Sequence, residues 1–116
     1  MNKINILGTE YLFKVDETGL LKELNADGLH KEYSKEIIIR KLDDFLCGGD
    51  SVEEKEERAK EVLRHEIIHA FFSESGLDDY SCNEQLVNWL AIQFPKIKRV
   101  CEEAEEKLKE MKQNDV

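Results

Sequence analysis

The chain has 116 residues, enough for one domain with a single modest core. Apolar residues make up 41% and charged residues 37%, which argues for a folded domain with a heavily charged surface and against disorder. A net charge of -9 speaks against a protein that grips duplex DNA by its phosphates, and the 17 Lys and Arg interleaved with 26 acids speak against a phosphate-mimicking face.

From the N-terminus, Ile4 and Ile6 and then Tyr11, Phe13 and Val15 alternate with polar residues. Gly8 interrupts the two runs, so the segment predicts a strand pair or one bent strand. The stretch from Thr18 to Gly28 suits either a helical turn or a loop, and Asp27-Gly28 is a turn signal. Ile37, Ile38 and Ile39 predict a strand by their β-branching, with Asp27-Gly28 opening a small antiparallel hairpin or meander. Cys47 to Asp50 form a break.

Ser51 and Glu54 have the spacing of a capping box, with acids crowding a first helical turn. Apolar residues then recur at intervals of three and four through Val62, Leu63, Ile67 and Ala70. They predict a helix to about Ser75, with Gly76 as its stop. Leu77 to Ser81 are expected to form a loop, with Ser81 or Asn83 capping a helix through Leu86, Val87, Leu90, Ala91 and Phe94. Pro95, the sole proline, is expected to end that helix and begin another. The new helix carries an apolar stripe at Ile97, Val100, Cys101, Ala104, Leu108 and Met111, and the last three residues are expected to fray.

Neither an apolar leader nor an apolar run near 18 residues is present, so no membrane span is expected. The three cysteines, Cys47, Cys82 and Cys101, are widely spaced and contain no C-x-x-C pair, which fits reduced thiols in a cytoplasmic protein.

One motif carries chemistry. His65 and His69 lie four residues apart on the long helix, so both imidazoles can face one metal ion, while Glu66 sits about 100° round the helix, where it can reach a water at that ion. H-E-x-x-H is the pattern of a zinc hydrolase: two ligands and a general base on one rod. The competing reading makes the histidines ordinary part-buried helix residues. A catalytic site needs a third protein ligand. Glu74 lies on another face, Asp78 and Asp79 would need a sharp return of the chain, and Glu84 heads a helix that can fold back. Glu84 is therefore the expected third ligand. Asn88, one turn on, either hydrogen-bonds a ligand imidazole or is an ordinary polar helix residue. Cys82 fits a small, part-buried thiol at a helix start better than a ligand.

His65-Glu66-Ile67-Ile68-His69 followed by Asn83-Glu84-Gln85-Leu86-Val87-Asn88-Trp89-Leu90-Ala91 resembles the gluzincin arrangement, and more closely the ImmA/IrrE-like metallopeptidases of phages and mobile elements. The likeness spans roughly residues 33 to 95. Val87 stands where that family usually has alanine, and no helix-turn-helix segment is appended. The resemblance implies an α+β, minimal zincin-like fold in a single domain over 1–116. In it a small antiparallel sheet packs on the motif helix, followed by a ligand-bearing helix and a C-terminal helix. It implies Zn2+ on His65, His69 and Glu84, and Glu66 as the base in peptide-bond hydrolysis. It also implies a phage or prophage origin, a bacterial cytoplasm, and a protein or peptide substrate such as a repressor or host protein. The alternative is a non-catalytic zinc-binding regulator or inhibitor of a host factor.

Overall fold

The computed structural model of the chain describes residues 2–45 and 51–114; the break expected at Cys47 to Asp50 and the last two residues of the expected frayed end lie outside them. β1 (Lys3–Ile6) and β2 (Thr9–Asp16) pair antiparallel, with Ile6 opposite Thr9. That leaves a two-residue turn in which Leu7 and Gly8 both have positive φ, 51° and 90°. This is the turn whose twist matches the flanking strands, and Asn5 Oδ1 accepts the Gly8 N–H at 2.9 Å to hold it. Asp16 ends β2 by accepting from Thr18 and from the Leu21 N–H, which fixes a single helical turn, α1 (Leu20–Glu23).

β3 (Gly28–Lys31) and β4 (Glu36–Arg40) form the expected antiparallel hairpin. The sheet as a whole is not antiparallel, however. Its order is β1-β2-β4-β3, and β4 runs parallel to β2, with Phe13 beside Ile37 and Val15 beside Ile39. Burial explains the order. Ile37 and Ile39 are buried and Ile38 is half-buried, which suits a strand with neighbours on both sides. The shorter β3 carries glycine, histidine and lysine and takes the edge.

α2 (Val52–Glu74) begins as the capping signal requires, with Ser51 Oγ accepting the Glu54 N–H at 3.1 Å. It ends at Gly76, whose φ is 74°. The helix crosses one face of the sheet. Ala70 joins Ile6, Tyr11 and Ile37 in one cluster, and Val62 joins Ile39 and Phe45 in a second. The expected loop after Gly76 is instead a helical turn, α3 (Asp78–Ser81).

α4 (Glu84–Asn114) begins at Asn83, whose Oδ1 accepts the Leu86 N–H at 3.0 Å. It then runs straight through Pro95, so the two helices expected there are one. Proline has no N–H to give the carbonyl four residues back, here that of buried Ala91. Arg64 on α2 supplies the missing donor, its Nε lying 2.7 Å from Ala91 O. Among the described residues no helix is long and apolar enough to cross a membrane.

Candidate metal centre

α2 and α4 meet over the histidine pair. His65 Nε2 and His69 Nε2 are 3.0 Å apart. Glu84, at the first turn of α4, reaches both with one carboxylate: Oε2 is 3.0 Å from His65 Nε2, and Oε1 is 2.9 Å from His69 Nε2. The His65, His69 and Glu84 donors all lie within 4.8 Å of one another. A tetrahedral ion with bonds of about 2.0–2.1 Å holds its donors about 3.3 Å apart, so two imidazoles and a carboxylate this close fit a single zinc. The donor set is also the His2Glu combination of catalytic zinc sites.

The His69 imidazole is held from behind. The Ser81 hydroxyl donates to His69 O at 3.3 Å, which leaves its lone pair facing His69 Nδ1, also at 3.3 Å. A hydroxyl already donating can only accept, so Nδ1 carries the proton and the Nε2 lone pair points at His65 and Glu84. Ser81 thus serves the site rather than capping α4. Asn88 lies on the wall of the same cleft but is exposed, and its side chain makes no hydrogen bond to either imidazole.

Glu66 is 7% exposed. Its carboxyl is pushed up to about 7, first by burial and then by the negative charge of Glu84. Oε1 is 4.0 Å from His65 Nε2, beside the donor cluster rather than within it. The imidazole of His69 is pushed down, chiefly by burial. The other acids weighed for the metal are placed elsewhere. Glu74 is engaged with the sheet through Thr9, Tyr11 and Lys35, and Asp78 and Asp79 lie on exposed α3.

The cluster opens into a cleft of about 430 Å³ whose far wall is β3, with Gly28, Leu29 and His30 on it. His30 stacks parallel to His69 with ring centroids 6.4 Å apart, and its Nε2 is 3.3 Å from the buried Tyr11 hydroxyl. That hydroxyl donates to Glu74 Oε2 at 2.7 Å, so its oxygen accepts from His30. The sequence offers no local sign that Ser81 would stand behind His69, or that His30 and Gly28 would line the cleft, because each is brought there by tertiary packing. Comparison of the chain with protein-family models, with curated proteins and with solved structures finds no match.

Proposed function

We propose that the cleft is the active site of a zinc-dependent peptidase built on a minimal zincin-like fold. The observation that carries this reading is the convergence of His65, His69 and Glu84 from two helices, with buried Glu66 at the edge of the cluster and an open cleft beside it. Zinc on these three residues would supply Lewis acidity toward a substrate carbonyl and toward a water molecule. The chain's own part is positional and acid–base. His69 is held in one tautomer by Ser81. Glu66, one residue from a ligand and turned toward the cleft, takes a proton from the attacking water and returns it to the departing amine nitrogen. The resemblance to ImmA/IrrE-like metallopeptidases supports a protein substrate, and a phage-borne protein acting on a repressor or host protein is the setting it favours.

Glu66→Gln removes the proton acceptor and leaves all three donors. About one zinc per chain should remain bound, with the melting temperature near wild type, while hydrolysis of a responsive peptide falls by about 10²- to 10⁴-fold. Metal analysis and a peptide-library digest on the same preparations decide it. A chain that binds no zinc, or a Gln variant that cleaves as well as wild type, sinks the reading. Zinc binding without cleavage, and with biological effect kept in the Gln variant, would establish the non-catalytic regulator instead.

A further inference from the structure

Beyond residue 95, α4 leaves the domain. Every residue from Lys96 to Lys112 is exposed, and the molecule measures 61 Å along its longest axis against 37 and 31 Å across. A helical overhang packed on nothing gains no stability from tertiary burial, the main source of helical stability in proteins. This one carries an apolar seam: Phe94, Ile97, Cys101, Ala104, Leu108 and Met111 recur at steps of three, four, three, four and three. That is the spacing of a two-helix supercoil, and it continues the line of Val87 and Leu90, which are turned inward. Phe94 and Leu108 are 54% and 53% exposed, and nothing in the chain covers them among the described residues.

We propose that this seam docks against the same seam of a second copy, antiparallel, forming a two-fold dimer with a domain at each end. The charges beside the seam select both partner and register. When Phe94 lies opposite Met111 of the partner, Ile97 meets Leu108, and Cys101 meets Ala104 at a centre small enough for close approach. The flanking Lys98 then faces Glu105 of the partner, twice by symmetry. Sliding one heptad either way sets Lys98 against Lys98, or Glu105 against Glu105. A parallel pair sets Lys107 against Lys112 and gains no attraction elsewhere. The seam is thus complementary to itself in one arrangement, as a closed two-fold interface requires.

The test is sedimentation equilibrium of the full chain over about 1 to 200 µM, a range in which a helical interface of moderate size dissociates measurably. The wild type should be dimeric at the upper end. Lys98→Glu and Glu105→Lys each place two like-charge pairs across the dyad. Each should raise the dimer Kd about tenfold, and the double variant should restore it to within about threefold. Leu108→Glu alters no residue that the domain packs on. It should give a monomer with the domain's thermal transition intact. A wild type that stays monomeric, single reversals without effect, or a double variant as weak as the singles would overturn the proposal, as would a Leu108→Glu dimer.

Discussion

A Cβ added at Gly28 would lie 2.8 Å from Val62 Cγ1 and 2.9 Å from Glu66 Cγ, closer than packed atoms tolerate. Glycine is what lets the edge strand press on α2 and bury the Glu66 carboxylate beside the donor cluster. Gly28→Ala must push β3 or the Glu66 side chain aside. The expected cost is about 1–3 kcal/mol of stability, the usual penalty for overpacking. If the proposed peptidase reading is right, zinc content should not change, since His65, His69 and Glu84 stand on the two helices, but hydrolysis should fall because Glu66, the proposed base, is displaced. Urea unfolding, metal analysis and a peptide assay on one preparation check this, and a Gly28→Ala variant as stable and active as wild type would show that the contact relaxes freely. The residues that meet at the site divide by how local their signal is. His65, Glu66 and His69 are legible because helical periodicity alone brings them together, and Glu84 because a helix start follows a glycine stop. Gly28 and Ser81 are not legible, because a glycine's close approach and a serine's hydrogen bond to a histidine twelve residues away exist only once the elements have packed.

The elements were legible where one face is buried. Alternation marks β1 and β2, the β-branched run Ile37 to Ile39 marks β4, and the Ser51 cap and Gly76 stop bound α2. Sheet order was not, since both an antiparallel meander and the observed mixed sheet satisfy the same alternation. The sharpest difference lies at Pro95. Local chemistry ends a helix there, because the Ala91 carbonyl loses its intrahelical donor. The fold overrides it because Arg64 donates from the neighbouring helix at 2.7 Å. This makes the pair a test of its own explanation. Arg64→Ala strands a buried carbonyl and should cost about 1–3 kcal/mol. With Pro95→Ala the backbone N–H of residue 95 can bond that carbonyl, so the same Arg64→Ala change should cost markedly less. A double-mutant cycle by chemical denaturation measures the coupling. Additive effects would mean that Arg64 stabilises the helix pair in some other way.

At the scale of the whole molecule, two core clusters join α2 to the sheet without using any of the three donors, and a polar clamp closes the end of α2 away from its cap. Glu74 there accepts from Thr9 Oγ1, the Tyr11 hydroxyl and Lys35 Nζ, each at 2.7 Å. The Lys35 ammonium first, and then the Tyr11 and Thr9 hydroxyls, hold its carboxyl down at about 2. Its partner Tyr11 is shifted the other way: burial, and then the bond to Glu74, raise its phenol above the ordinary value. A carboxyl depressed in the folded state contributes stability that is complete above its unfolded value, about 4.3, and is lost as the pH falls from there toward 2. Glu74→Gln keeps the shape and removes the charge, so the wild type should be the more stable of the two at neutral pH. That advantage should hold down to about pH 5 and then shrink steadily toward pH 2. Asp16 and Glu36 are also depressed, by Thr18 and Lys14 respectively, and add acid sensitivity common to both proteins. The difference between wild type and variant therefore reports Glu74 together with the groups that feel its charge, His30 and Tyr11. Urea midpoints of both proteins at pH 7, 5, 4 and 3 give the curve. A difference that stays constant across that range would show that the clamp works by hydrogen-bond geometry alone, with no contribution from the charge that Lys35 faces.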